Sequence, residues 1–254
     1  LNSPEKNYED FLRGKVRMAE TWGREIAEAD VNPALMPHQR AMVRWLVAGG
    51  RRACFAAFGL GKTVMELETA RLTLAHAGGR ALIVAPLGVR QEFKRDARQI
   101  LGWAEPPKFI RRIEEAEATG IYLTNYETVR DGKLDPADFT VVLLDEASVL
   151  RGFGGTKTFR ELMLLCTGDG GPSGRSRDKR VPYRYVATAT PSPNEYTELL
   201  AYAAFLGIMD VSQAKTRFFK RDSTQADNLT LHAHMEREFW LWVASWAIFV
   251  QRPS

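Results

Sequence analysis

Two short runs carry residue types that core packing and surface solvation do not require. The first is Ala56-Ala57-Phe58-Gly59-Leu60-Gly61-Lys62-Thr63. Glycines here let backbone amides approach phosphate oxygens closely. A helix beginning near Gly61 adds the partial positive charge of its amino end. Lys62 would then reach the β- and γ-phosphates of a nucleotide, and the Thr63 hydroxyl would take Mg²⁺. The run fits a phosphate-binding loop relaxed to Ala at its first position. A glycine turn with an incidental lysine is the competing reading of these residues taken alone.

The second run, Asp145-Glu146-Ala147-Ser148, ends the apolar stretch 141–144. Asp145 would complete a magnesium shell directly or through water. Glu146, one residue later, would face the γ-phosphate and polarise an attacking water. Acids that merely cap a following helix are the alternative. Four apolar residues leading into paired acids, with a phosphate loop in the same chain, favour the metal reading. Together the runs imply a protein that binds a nucleoside triphosphate and uses it.

The elements that must position these residues follow from hydrophobic pattern. Apolar runs of strand length lie at 53–57, 81–85, 121–124, 141–144 and 185–188. They alternate with helix-like stretches at 62–76, 89–101 and 156–165, and Pro37 opens an earlier helix that Gly49-Gly50 ends. Continuous apolar strands separated by helices predict an α/β domain whose mainly parallel sheet is covered on both faces. Ligands of such sheets sit at the carboxyl ends of the strands. The unusual residues fall there: 59–63, Pro86, Thr124-Asn125, Asp145-Glu146 and Thr188-Ala189-Thr190. Residues 7–20 are compatible with a helix, 168–180 form a glycine-rich basic loop, and 194–254 are helical in pattern and rich in aromatics.

Composition narrows the class. The chain has 254 residues, 45% of them hydrophobic, enough for one large α/β domain or two small ones. A net charge of +4 is too mild to identify a nucleic-acid partner. Cys54 and Cys166 cannot build a disulfide framework, which points to a reducing compartment. No signal peptide is visible, and the longest apolar stretch, 239–250, is too short to span a bilayer. A soluble cytoplasmic protein with no membrane partner is expected. The chain begins with Leu, as an excised piece would.

Six motifs in order resemble the first RecA-like domain of superfamily-two helicases and translocases, nearest the Swi/Snf-like branch. Leu35-Met36-Pro37-His38-Gln39 resembles the Q motif, and Phe58-Gly59-Leu60-Gly61-Lys62-Thr63 resembles motif I. Ala85-Pro86-Leu87-Gly88-Val89 with Phe93 is similar to motif Ia, and Thr124-Asn125-Tyr126-Glu127 to motif Ib. Asp145-Glu146-Ala147-Ser148 stands at motif II. Thr188-Ala189-Thr190-Pro191, with Asn194 and Glu198-Leu199, matches motif III. Ser148 replaces the branch's usual His, and Ala56-Ala57 replaces its acidic pair, which gives a phage- or prophage-like flavour.

The resemblance implies a RecA-like P-loop fold and a role for each motif. Lys62, Asp145 and Glu146 are the expected catalytic residues. Gln39, which would read adenine, and Phe58, Gly59, Leu60, Gly61, Lys62 and Thr63 are expected to hold ATP. Thr63 and Asp145 would hold Mg²⁺. Thr188, Ala189 and Thr190 would link the γ-phosphate site to a second lobe. Arg90, Lys94, Thr124, Asn125 and Tyr126 are the expected nucleic-acid contacts, with DNA the expected partner and RNA not excluded. A solvated helix face is the alternative for the basic pair.

The organisation implied is a helical extension over 1–34, a RecA-like domain over 35–210, and a helical extension over 211–254 leading to a second RecA-like lobe. About 60 residues follow Thr190, too few for that lobe, so half of a motor is expected. Alone it would hydrolyse ATP slowly, since the partner lobe supplies the arginines. The alternatives are a non-catalytic ATP-responsive binding module and the motor lobe of a restriction-system subunit. His232 and His234 lack further ligands at metal spacing and read as loop histidines. Phe239, Trp240, Trp242, Trp246 and Phe249 read as core or a lobe contact before a base-stacking platform.

Overall fold

A computed structural model describes residues 18–150, 156–168, 178–191, 196–221 and 229–251. Up to residue 17 the helix expected over 7–20 lies outside the described residues, and 18–20 are not helical. Asn194 and most of the loop 168–180 also lie outside them.

Helix α1 (Pro37–Gly49) starts with proline at its first turn, where the missing N–H costs nothing, and ends at Gly50 with φ 71°. Its buried face is Met42, Val43, Leu46 and Val47, the i, i+4 stripe of an amphipathic helix. There follow β1 (Arg51–Ala56), α2 (Lys62–Ala77), β2 (Arg80–Val84), α3 (Arg90–Gln99), β3 (Lys108–Phe109), β4 (Gly120–Thr124), α4 (Tyr126–Arg130) and β5 (Val141–Leu144). The chain continues through α5 (Lys157–Thr167), β6 (Tyr183–Thr188), α6 (Leu199–Leu206), α7 (Val211–Phe218), β7 (Phe219–Arg221), β8 (Leu229–Leu231), α8 (Glu236–Ala244) and β9 (Ala247–Val250).

Seven strands form one sheet in the order β3-β4-β2-β5-β6-β1-β9, and every neighbouring pair is parallel. Successive residues of a strand face opposite sides. Phe55, Val84, Leu144 and Val186 join one core with Leu162, Tyr202 and Trp242. Cys54, Ile83, Leu143 and Tyr185 join another with Met42, Leu67 and Phe93. Both faces are buried, which is why the strands read as unbroken apolar runs. Every residue of α6 is buried, and the Tyr202 ring lies 5.3 Å from that of Phe55. Truncating one such ring to Ala costs roughly 3–5 kcal/mol.

The carboxyl-terminal pattern needs correction in its elements. The helical expectation holds for α7 and α8, but β7 and β8 form an antiparallel hairpin and β9 pairs with β1. The apolar run 239–250 therefore breaks into a helix and a strand. Ile248-Phe249-Val250 favours extended backbone, and pairing covers the otherwise open edge of β1. Phe239, Trp242 and Trp246 are fully buried, Trp240 is half-buried and Phe249 is exposed, so this cluster is chiefly core. Cys54 and Cys166 are buried and unbridged. Among the described residues no helix is long and apolar enough to cross a membrane.

Candidate functional site

Sheet order explains why distant motifs meet. Strand β6 lies between β1 and β5, and all three run the same way. The loop after β1, the acids after β5 and the end of β6 therefore emerge on one edge. Register makes the match closer: Phe55 pairs with Thr188, and Leu144 pairs with Val186. Two residues further on, Glu146 comes level with Thr188. A cavity of about 480 Å³ opens there, lined by Phe58, Gly59, Gly61, Lys62, Thr63, Glu92, Asp145 and Glu146 among others. A cavity of similar size lies at the other end of the strands, at the amino ends of β3 and β4, where Arg71, Lys108, Glu105, Glu115 and Glu117 surround Trp103 and Tyr122.

Helix α2 begins at Lys62, directly after Gly61. Its first closing bond runs from Met65 N–H to Gly61 O, so the amides of Lys62, Thr63 and Val64 have no intrahelical acceptor. Gly59 and Gly61 have φ of 81° and 74°, where a side chain is strained. A Cβ at Gly61 would also sit 2.4 Å from Gln39 Nε2. Lys62 Nζ donates to Ala56 O at 3.2 Å and stands 4.9 Å from the Phe58 ring centroid. Leu60 packs its side chain on the core while its carbonyl accepts from Gln39 Nε2 at 3.0 Å. Gln39 is buried, and its Oε1 accepts from Met36 N–H. The residue singled out to read adenine thus also anchors the loop, with one N–H and one lone pair of its amide left over.

Asp145 is 9% exposed, and burial pushes its carboxyl up to about 6. Its Oδ1 accepts from Glu146 N–H, and the Tyr126 phenol donates to its carbonyl at 2.6 Å. Beneath it lies Glu66, one turn after Lys62 on α2 and fully enclosed. Neither Glu66 oxygen meets an N–H or O–H donor among the described residues. Burial first, and the neighbouring Asp145 charge second, hold the Glu66 carboxyl well above the usual range. Glu146 adopts φ 49°, the only non-glycine with positive φ among the described residues, a conformation costing about 1–2 kcal/mol. Strain of this kind collects at functional sites.

Thr188 is fully buried and donates to Glu146 Oε1 at 2.9 Å, while Thr190 N–H donates to Thr188 Oγ1 at 3.1 Å. Ala189 sits between them at the strand end.

The chain superposes on the SWI2/SNF2 ATPase core of Sulfolobus solfataricus in complex with dsDNA at a TM-score of 0.66 and 18% identity, covering 91% of this chain and 47% of that one. The Sulfolobus solfataricus core domain described without DNA gives 0.61 at 18% identity, over 92% and 48%. The UvsW helicase from Bacteriophage T4 gives 0.51 at 14% identity, over 83% and 67%. The chain shares the RecA-like fold of these cores, a parallel sheet flanked by helices. No family model and no curated protein matches the chain. It spans about half the length of the Sulfolobus cores.

Two of the expected nucleic-acid contacts of this RecA-like lobe are corrected. Thr124 is buried and its hydroxyl donates to Ile110 O. Tyr126 is buried with its phenol on Asp145 O. Asn125 caps α4, accepting from Thr128 N–H. Strand-end position suggested exposure, but Thr124 is spent on Ile110 beside β3, Tyr126 on Asp145 after β5 and Asn125 on its own helix. Arg90 and Lys94 lie one turn apart on α3, half-buried, with the Arg90 guanidinium 5.2 Å from the Phe109 ring. Arg111 lies over the same ring at 5.6 Å, a neighbour that sequence did not reveal because β3 has only two residues.

The His232 and His234 rings lie 5.1 Å apart, tilted by 43°, and the described residues contain no group of three or more His, Cys, Asp or Glu able to hold a metal. The Thr63 and Asp145 pair still suits Mg²⁺, which takes one or two protein oxygens and fills its octahedron with phosphate and water. The open first-turn amides and the cavity size fit a triphosphate.

Proposed function

We propose that this chain is the ATP-binding first lobe of a DNA-dependent ATPase of the translocase type, which couples hydrolysis to movement when joined to a second RecA-like lobe. One observation carries the reading. Lys62, Thr63, Asp145 and Glu146 line a single cavity, and Thr188 reaches its acid from the strand between. The Sulfolobus superposition supports it, because that core is in complex with dsDNA and about twice as long.

Each side chain has a task under this reading. The α2 amides and Lys62 bind the β- and γ-phosphates. Thr63 and Asp145 would hold Mg²⁺, which would supply charge neutralisation for the phosphates. Glu146 orients water with the oxygen that Thr188 leaves free and accepts its proton. Gln39 fixes the loop and offers its remaining N–H and lone pair to adenine. Arg90, Lys94 and Arg111 meet backbone phosphates, a contact blind to sequence and weakened by salt. The residues after 210 complete the sheet and core of the same lobe through α8 and β9.

Steady-state phosphate release tests the reading. The chain joined to its second lobe should hydrolyse ATP faster with duplex DNA than without, and Glu146→Gln should stop hydrolysis while ATP still binds. The described lobe alone should turn over slowly. DNA-independent hydrolysis that survives Glu146→Gln would overturn the assignment.

A further inference from the structure

Glu92 reaches the phosphate cavity from α3, the helix that carries Arg90 and Lys94. The Thr63 hydroxyl donates to Glu92 Oε1 at 3.1 Å. A hydroxyl has one proton and two lone pairs. With its proton committed to Glu92, Thr63 has its lone pairs to offer a cation. A water-facing Thr63 would present either end.

Helix α3 packs on α2, the helix that carries Thr63. Phe93 and Ala97 are fully buried in the core shared with Val64 and Leu67 of α2. Arg90 and Lys94, one turn apart, share a face, and Glu92 lies on the opposite side of the same turn. Arg90 is placed by the Phe109 ring on one side while Glu92 holds Thr63 on the other.

We propose that Glu92 is a positioning residue of the metal site, which orients the Thr63 hydroxyl for Mg²⁺ and, through the first turn of α3, makes Mg²⁺ capture respond to nucleic acid held by Arg90 and Lys94. The inference rests on the nucleotide and DNA reading given above. Glu92 is exposed and has several rotamers open to it. Phosphates bound at Arg90 and Lys94 fix the turn from which it springs and favour the rotamer that holds Thr63. Coupling of two sites is reciprocal, so Mg²⁺ with ATP tightens nucleic-acid binding by the same factor.

The test is equilibrium binding of a ribose-labelled fluorescent ATP analogue to the 254-residue chain, titrated with Mg²⁺, with and without a short DNA duplex. For the wild type, duplex should lower the half-saturating Mg²⁺ concentration by about fivefold. Glu92→Ala should need about fivefold more Mg²⁺, the worth of one lost hydrogen bond, and should lose the duplex response, while its affinity measured in EDTA does not fall. Glu92→Gln keeps a carbonyl acceptor for Thr63 and should recover most of the Mg²⁺ affinity. Unchanged Mg²⁺ dependence and an intact duplex response in Glu92→Ala would overturn the proposal, as would Glu92→Gln behaving like Glu92→Ala. Nucleotide binding without any duplex response in the wild type would overturn the coupling alone. A wild-type chain that binds no nucleotide at any Mg²⁺ concentration would remove the phosphate-site reading itself.

Discussion

The Thr188 hydroxyl donates to the Glu146 carboxylate at 2.9 Å, so the end of β6 holds the acid that follows β5. The bond ties a buried threonine to a residue whose backbone is strained at φ 49°. It fixes one carboxylate oxygen and leaves the other for water.

Thr188→Val keeps the shape of the side chain and removes the donor. ATP affinity should stay within about twofold, while kcat for hydrolysis by the two-lobed protein falls about tenfold or more, a fraction of what a positioned base supplies. Phosphate release alongside equilibrium binding separates the two effects. A rise in KM with kcat intact would mean that Thr188 serves binding.

Gly61 and Gly59 differ in what a methyl group would meet. At Gly61 it would strike Gln39 Nε2, whereas at Gly59 nothing lies within 4 Å. Both share the backbone strain of positive φ, about 1–2 kcal/mol. Gly61→Ala should therefore be the less stable of the two in urea unfolding and should lose the Gln39–Leu60 bond. Equal midpoints would show that the loop yields freely.

Gln39→Ala should weaken both ATP and GTP, because the lost bond to Leu60 O steadies the loop for any triphosphate, and ATP the more, because only adenine also loses the amide. Competition titrations against a labelled nucleotide measure both. A loss confined to ATP would show that base reading outweighs loop support.

Glu66 gives stability a pH dependence. Burial and the Asp145 charge raise its carboxyl well above the usual range, and burial raises Asp145 to about 6. The folded chain then binds more protons than the unfolded chain at pH values above about 4, the unfolded range of carboxylates. The contribution of the pair is fully present below that range and is lost as pH rises through 6 and beyond. In metal-free buffer Glu66→Gln should melt with the wild type near pH ~4 and above it by a margin that grows toward neutrality. A margin that is constant or shrinks with rising pH would place the proton elsewhere.

Much of this architecture was legible in sequence because its strands are buried on both faces. The run 141–144 coincides with β5, and the helix expected over 62–76 runs one residue further, to Ala77. Strand β9 was hidden because Phe239 to Val250 is apolar at every position but Ser245, and periodicity cannot divide a helix from a strand in such a run. Lys62, Thr63, Asp145, Glu146 and Thr188 were legible by type and order. Glu66 and Glu92 were not: a glutamate within a helix reads as solvated until packing shows which face it takes. Tyr126 misled for the opposite reason, since a polar strand end looked open and proved to be wedged against Asp145.

Isothermal titration of ATP with Mg²⁺ into the wild-type chain and into Lys62→Ala tests the central claim most directly. Lys62 donates to a protein carbonyl in this structure and would exchange it for phosphate oxygens, a charge-assisted bond. The wild type should bind one equivalent of nucleotide. Lys62→Ala should bind about tenfold or more weakly, at an unchanged melting temperature. Equal affinity in the folded variant, or no binding heat in the wild type across several temperatures, would contradict the assignment of this cavity to a nucleoside triphosphate.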